Sequence, residues 1–150
     1  MWDYPRPPAL KTVPDRVRVV LGGVTIAEST TALRVLETSH PPVYYLPPTD
    51  IGAGVLTPGT GTSSCEWKGA ATYLTVSAGG LVAANAAWRY ERPEPRYGAM
   101  ASFVAFYAQA MDACFVGEER AEPQPGGFYG GWVTSGVVGP FKGEPGTWGW

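Results

Sequence analysis

The chain has 150 residues, of which 20 are Gly and 15 are Pro. Both residues break helices and together they are about twice as frequent as in average proteins, which excludes a helical bundle or a coiled coil. The apolar fraction of 45% excludes a disordered chain, and the net charge of −2 provides no basic face for nucleic acid.

The composition also bears on the compartment and on cofactors. No apolar run approaches the 18 or more residues of a membrane span. The N-terminal sequence, Met1-Trp-Asp-Tyr-Pro-Arg-Pro-Pro, lacks the basic start and apolar core of a signal peptide. The two cysteines, Cys65 and Cys114, cannot form a four-ligand zinc site by themselves. We therefore predict a cytoplasmic protein that contacts neither membrane nor nucleic acid and holds no metal or other cofactor.

Three hairpins are predicted in chain order, after an extended N-terminal arm over residues 1–16. The first joins residues 17–21 and 24–28 through Gly22-Gly23, because Gly-Gly between two alternating runs is typical of a primed turn. The second surrounds Gly79-Gly80 in the same way, and the third surrounds Gly117-Glu118-Glu119. The similar Gly-Gly segments suggest either two copies of one β-unit or simply two hairpins of the same type.

A short helix and an aromatic tail complete the predicted single domain. The helix begins near Pro93, with Tyr97, Met100 and Ala101 at helical spacing. Residues 17–121 form the β core. Residues 122–150 contain nine Gly, four Pro and six large aromatics, and such side chains bury large areas. We therefore expect an ordered, extended tail that packs on the core or on a partner subunit.

Two short segments contain the side chains best suited to chemistry. Cys65-Glu66-Trp67-Lys68 combines a thiol, a carboxylate, an indole and an ammonium. Lys68 could bind an anionic group or act as a base, or Glu66 and Lys68 could be a surface pair. Glu37 precedes the only histidine, His40, by three residues. They could form a base and its orienting partner if the chain turns there, or His40 could be structural.

Aromatic side chains recur through the predicted strands and form the candidate pocket wall. Tyr and Trp combine an apolar ring with a hydrogen-bonding tip, which suits a ligand pocket and also an ordinary β core. The segment 57–64 superficially resembles a phosphate loop but lacks the Gly-Lys-Ser/Thr ending. The predicted ligand-binding residues are Tyr44, Tyr45, Glu66, Trp67, Tyr73, Trp88 and Tyr90.

Several motifs in fixed order carry a family resemblance. They are Cys65-Glu-Trp-Lys-Gly-Ala-Ala-Thr-Tyr73, Asn85-Ala-Ala-Trp-Arg-Tyr-Glu-Arg-Pro93, Val104-Ala-Phe-Tyr107, and Glu37-Thr-Ser-His40 with Tyr45-Leu-Pro-Pro48. With them the chain resembles the domain of unknown function 427 family, also labelled nucleotidyltransferase-like. The tail resembles that of a longer bacterial form.

The resemblance implies a mostly β fold: a small single-domain antiparallel β fold, tent-like or barrel-like, with one short helix. Similar tent-like domains hold ligands in an aromatic-lined cup, and some carry a zinc held by four cysteines, which this chain cannot supply. No D-x-D or closely paired carboxylates that could hold Mg²⁺ lie beside a Gly-Ser motif, so we do not expect nucleotidyl transfer.

Three functions remain open at this stage. The first is a small-molecule-binding domain whose aromatic pocket has Tyr44 or Tyr45 as its lid. The second is a metal-independent enzyme in which Glu37, His40 and Lys68 are the catalytic groups. The third is an interaction module that uses the aromatic tail as a homo-oligomer interface or as a docking arm.

Overall fold

The computed structural model describes residues 9–37, 41–65, 69–93, 95–124 and 130–134. It contains thirteen strands and three short 3₁₀ segments in these ranges. The strands are β1 (Ala9–Thr12), β2 (Val17–Leu21), β3 (Val24–Ser29), β4 (Leu33–Leu36), β5 (Val43–Tyr45), β6 (Leu56–Cys65), β7 (Gly69–Ala78), β8 (Leu81–Arg89), β9 (Val104–Phe106), β10 (Ala113–Val116), β11 (Glu119–Arg120), β12 (Glu122–Pro123) and β13 (Trp132–Val133). The mostly β, antiparallel fold class is confirmed.

The strands form two layers. Strands β1-β4-β5 and β6-β7-β8-β9 are two antiparallel sheets that meet between β5 and β9. There the backbones of Leu46 and Val104 exchange hydrogen bonds of 2.8 and 2.9 Å, so we call the joined strands the long sheet. The second layer is the four-stranded sheet β11-β10-β2-β3, and β12 pairs with β13 in a separate two-stranded ribbon.

Two apolar clusters lie on the two faces of the long sheet. The first cluster fills the space between that sheet and β2, β3 and β10; it includes Val19, Ile26, Tyr44, Phe106 and Trp132. The second cluster covers the opposite face and contains most of the remaining buried aromatic rings. Its buried members are Val35, Tyr45, Ala71, Trp88, Tyr90, Tyr97, Met100 and Ala105.

The two Gly-Gly hairpins form where the sequence predicts them. Gly22 and Gly23 connect β2 to β3, and Gly79 and Gly80 connect β7 to β8, all four with positive φ. The two turns also pack backbone against backbone, and a Cβ on Gly79 would overlap the carbonyl of Gly22. Glycine therefore serves both the turn geometry and a close contact between the two layers.

The helical and N-terminal segments differ in detail from the sequence-based expectation. Pro95–Met100 is a pair of 3₁₀ turns with a kink at Tyr97, rather than the short helix that the sequence predicts from near Pro93. Tyr97 and Met100 nevertheless point into the second cluster, as the spacing predicts. Part of the predicted N-terminal arm forms β1, which pairs with β4. None of the helical segments in the described ranges has the length and apolar character of a membrane span.

Candidate functional site

Three aromatic rings of the second cluster meet across strands of the long sheet. Tyr45 lies edge-on to Trp88, with 6.3 Å between ring centroids, and is tilted against Tyr90 at 6.4 Å. All three side chains are buried, with exposed fractions of 7% or less. The structure thus brings together three of the predicted ligand-binding residues, but as tightly packed neighbours.

Tyr73 and Tyr107 extend this aromatic group toward the surface. Tyr73 on β7 pairs directly with Trp88 on β8, so both side chains leave the same face of the sheet. The Tyr107 ring packs on Trp88 at 4.6 Å between centroids, and its hydroxyl interacts with that of Tyr73. Tyr73 and Tyr107 are only partly buried, so solvent reaches part of each side chain.

The environment of Tyr107 holds its phenol in the neutral form. Burial, followed by the electrostatic influence of Tyr73 and the hydrogen bond to Tyr73, raises the pKa of Tyr107 well above its ordinary value. Desolvation disfavours a phenolate and thus favours the protonated side chain. Tyr107 therefore remains a hydrogen-bond donor throughout the physiological pH range.

An open groove of about 370 Å³ lies beside these two tyrosines. Its size is within the range of small-molecule pockets, about 300–1,000 Å³. Strands β6, β7 and β8 and the 3₁₀ segment Ala108–Ala110 contribute its walls. The described residues that line it are all uncharged: Thr60, Tyr73, Ala84, Asn85, Ala86, Tyr107, Gln109 and Ala110.

Two β-bulges on either side of β7 shape this groove. On β6, Pro58 pairs with Leu74 and Thr62 with Thr72, so residues 59–61 all lie opposite Tyr73. On β8, the ladder shifts between the partners of Leu74 and Val76, and residues 84–86 lie opposite Thr75. Extra residues of this kind bend a strand and redirect its side chains, and they occur often beside binding sites.

The two bulges are joined to each other across β7. The Thr60 backbone N–H donates to Asn85 Oδ1 at 2.9 Å, and Asn85 Nδ2 donates to Thr60 Oγ1 at 3.0 Å. Asn85 has a φ of 53°, a left-handed conformation that Asn tolerates better than most residues. Gly59 approaches the Tyr73 carbonyl so closely that a Cβ would lie 2.8 Å from it. We call the paired Thr60 and Asn85 the clasp.

A second, more polar depression lies beside β3 and the 3₁₀ segment Pro48–Asp50. It has a volume of about 220 Å³ and is lined by Arg16, Glu28, Ser29, Thr30, Thr31 and Asp50. The Thr31 N–H donates to Ser29 Oγ at 3.0 Å, and Arg16 lies 3.6 Å from Glu28. In the part of the chain that the structure describes, no three His, Cys, Asp or Glu side chains come together to hold a metal ion.

Comparison with protein families identifies the chain. A model named NTP_transf_9, with the description domain of unknown function (DUF427), matches residues 9–117. The chain belongs to the DUF427 family. No curated protein matches the sequence. The family is thus confirmed, whereas the assignment of the tail to a long bacterial form stays a prediction.

The core of this DUF427 protein continues beyond the segment that the family model matches. Trp132 is 1% exposed and stacks on Tyr44 at 5.1 Å between centroids. Its indole Nε1 donates to the Phe106 carbonyl at 3.0 Å. Gly130 lies so close to Trp88 that a Cβ would overlap the indole ring. Residues 130–132 therefore contact both apolar clusters and cover part of the aromatic group.

Tyr44 lies apart from the predicted ligand-binding residues Tyr45, Tyr73, Trp88 and Tyr90. Successive residues of a strand point to opposite faces, so Tyr44 enters the first cluster while Tyr45 enters the second. Tyr44 is 3% exposed and Tyr45 is 1% exposed. The structure thus places the two proposed lid residues inside two different cores.

The polar residues of the catalytic hypothesis fall largely outside the described ranges. His40, Glu66, Trp67 and Lys68 are among the residues that the structure does not describe. Glu37 follows β4 and has an interaction partner, but it is not among the described residues of the groove. The acid–base role of these residues therefore stays a prediction.

Sequence reasoning missed two residues that define the groove, Tyr107 and Asn85. Tyr107 belongs to a motif of the family resemblance, yet its partner Tyr73 is distant in sequence. The bulge at Asn85 could have been predicted, since Asn within an apolar strand pattern is compatible with a left-handed bulge. The bulge at Thr60 could also have been predicted from Gly59 and Gly61 on either side of it, because Gly inside a strand often marks a bulge.

Proposed function

We propose that this DUF427 domain binds a small molecule in the groove between the Tyr73–Tyr107 pair and the clasp. The observation that carries the proposal is the coincidence of three features at one place. A depression of about 370 Å³, two half-buried phenols and two joined β-bulges all meet there. The cytoplasmic location inferred from the sequence is part of the same proposal, as is the absence of nucleotidyl transfer.

The strained backbone at Asn85 supports the proposal that the groove binds a ligand. A non-glycine residue in the left-handed region costs about 1–3 kcal/mol and persists where the surroundings enforce it. Here the two clasp hydrogen bonds and a third, from the Asn85 N–H to Thr75 Oγ1 at 3.4 Å, hold the conformation. Strain of this kind concentrates at ligand sites, so its position on the groove wall favours binding.

The walls of the groove are also preorganised. Tyr107 is held from behind by the Trp88 ring, from the side by the Tyr73 hydroxyl, and through its backbone N–H, which donates to the Ala86 carbonyl at 2.9 Å. A ligand would therefore immobilise few side chains on entry. Because ordering one long side chain costs about 0.5–1.5 kcal/mol, such a groove can hold even a small ligand.

The proposal is tested by filling the groove. Ala84 is exposed and lines the groove, so Ala84→Trp occupies the space without disturbing the core. Val82, on the same strand and 72% exposed, is outside the lining, and Val82→Trp is the matched control. We expect a fragment library screened by ¹H–¹⁵N NMR to shift the amides of the groove in the wild type and in Val82→Trp.

The same fragments should leave those amides unmoved in Ala84→Trp. If no fragment perturbs the groove of the wild-type protein at millimolar concentration, or if Ala84→Trp binds them as the wild type does, the proposal is wrong. Both variants should melt at the same temperature as the wild type, which shows that they are folded.

A further inference from the structure

We infer that the outer face of the sheet β11-β10-β2-β3 docks an extended acidic segment of a partner protein, which Arg18, Phe115 and Arg120 bind. This inference is independent of the groove, which lies on the long sheet. It follows from a row of arginine and aromatic side chains that the register of the four strands places side by side.

Four side chains form one row across this sheet, which we call the arginine row. Arg120 on β11 lies opposite Phe115 on β10, and Phe115 in turn lies opposite Arg18 on β2. Glu28 on β3 lies opposite Arg18 and completes the row. Cys114, which precedes Phe115 on β10, is buried in the first cluster. Because successive side chains of a strand alternate between faces, the arginine row lies on the face turned away from that cluster.

Arg18 is positioned to accept a carboxylate from outside the chain. Its guanidinium carbon lies 4.5 Å from the centroid of the Phe115 ring, a cation–π contact that fixes the long side chain in place. The carboxylate of the row, that of Glu28, lies 3.6 Å from Arg16. Among the residues that the structure describes, Arg18 has no ion-pair partner. Because the side chain is already ordered, a carboxylate that binds it immobilises little more.

Arg120 supplies a second cation on the other side of Phe115. One of its terminal nitrogens donates to the Asp112 carbonyl at 2.9 Å, which orients the guanidinium beside the row. A guanidinium has five N–H donors, so the exposed Arg120 side chain has donors left for a partner. The planar fork of arginine matches the two oxygens of a carboxylate, and arginine and aromatic side chains are enriched at protein–protein interfaces.

The spacing of the two arginines defines the peptide that fits. Adjacent strands lie about 4.8 Å apart, so Arg18 and Arg120, with β10 between them, start about 10 Å apart. An extended peptide that crosses the strands places its first and fifth residues on one side, about 13 Å apart, with the third residue between them. Carboxylates at the first and fifth positions then reach the two guanidinium groups, and an apolar third residue covers the Phe115 ring.

The number of cations favours an acidic peptide over a nucleic acid. The arginine row and the neighbouring Arg16 offer three cations, whereas proteins held by phosphate contacts make about six to ten of them. The net charge of −2 also opposes a long polyanion. A segment with two carboxylates, in contrast, is matched by Arg18 and Arg120 alone.

Three acetylated and amidated pentapeptides test the docking site by ¹H–¹⁵N NMR titration at low salt: Glu-Ser-Leu-Ser-Glu, Gln-Ser-Leu-Ser-Gln and Lys-Ser-Leu-Ser-Lys. We expect the acidic peptide to shift the amides of β2, β10 and β11 and to bind about fivefold more tightly than the neutral one, the value of two exposed ion pairs. The inference is wrong if the neutral or the basic peptide binds as tightly, if the acidic peptide shifts only amides elsewhere, or if it does not bind. A thymidine oligonucleotide that binds at the row more tightly than the acidic peptide would also overturn it.

Variants of the two arginines test whether the row itself attracts the acidic peptide. The double variant Arg18→Gln/Arg120→Gln should bind the acidic peptide no more tightly than the neutral one. Arg92→Gln is the matched control, because Arg92 is also exposed but follows β8 and lies outside this sheet; it should bind as the wild type does. An equal loss in Arg92→Gln, or full affinity in the double variant, would contradict the inference. The comparison of the three peptides is made on the wild type and does not depend on how the variants fold.

Discussion

Replacement of Trp132 by Ala should show that the chain beyond the matched family segment is part of the folded core. The indole is 1% exposed, stacks on Tyr44 and donates to the Phe106 carbonyl at 3.0 Å. Loss of a buried Trp side chain typically costs about 3–5 kcal/mol. Because a stacked ring and a buried hydrogen bond are lost together here, we expect a value near the upper end of that range.

The size of this effect makes it easy to measure. Domains of this length have a total stability of about 5–15 kcal/mol, so Trp132→Ala should lower the urea midpoint markedly. Trp132→Phe keeps a ring against Tyr44 but leaves the Phe106 carbonyl without its donor, and it should cost about 1–3 kcal/mol. Val82→Ala, at a site that is 72% exposed, should change stability by no more than about 0.5 kcal/mol.

Urea unfolding followed by far-UV circular dichroism provides the assay, with the free energy extrapolated from a common slope. A Trp132→Ala variant that unfolds within about 1 kcal/mol of the wild type would refute the reasoning, by the scale of ordinary surface substitutions. The segment around Trp132 would then be an appendage, and its cover over Trp88 would contribute nothing to the fold.

Three further predictions concern stability and titration. Gly79→Ala should destabilise more than Gly80→Ala, although both φ angles are positive, because only a Cβ at Gly79 overlaps the backbone of Gly22; equal melting temperatures would contradict this. Burial, partly offset by the charge of Arg120, raises the pKa of the Cys114 thiol from 9.0 to about 12. The folded thiol keeps its proton where the unfolded one loses it, so between pH 9 and 12 stability should fall with rising pH. The slope from this thiol is about 1.4 kcal/mol per pH unit and should be missing in Cys114→Ala, as urea titrations will show. Asn85→Ala should lower the free energy of unfolding by about 2–4 kcal/mol, because it removes two hydrogen bonds and places an alanine in the left-handed conformation. Asn85→Gly should lower it less, and the reverse order in urea unfolding would show that the backbone at Asn85 is not strained.

The parts of the fold that depend only on residues close together in the sequence were predictable. The hairpins at Gly22-Gly23 and Gly79-Gly80 follow from local turn chemistry, since two adjacent glycines supply the positive φ angles of a two-residue turn. The aromatic side chains at alternating positions of β7 and β8 indicated the second cluster. Both inferences need only a few consecutive residues.

The features that long-range contacts create were not predictable in the same way. Strand β6 contains Pro58, Gly59 and Gly61 and looks like a loop, yet it is held as a bulged strand by Asn85, 25 residues after Thr60. The partnership of Tyr107 with Tyr73 also needs the folded sheet. The opposite orientation of Tyr44 and Tyr45, in contrast, follows from the two-residue period of a strand and could have been anticipated.

The most direct test of ligand binding in the groove is a crystal structure of the protein soaked with a fragment that shifts the groove amides in the NMR screen. We expect the fragment to lie in the groove, between the Tyr73–Tyr107 pair and the clasp. A fragment found only elsewhere on the surface, or an unoccupied groove at a saturating fragment concentration, would contradict the central claim that this groove is a small-molecule site.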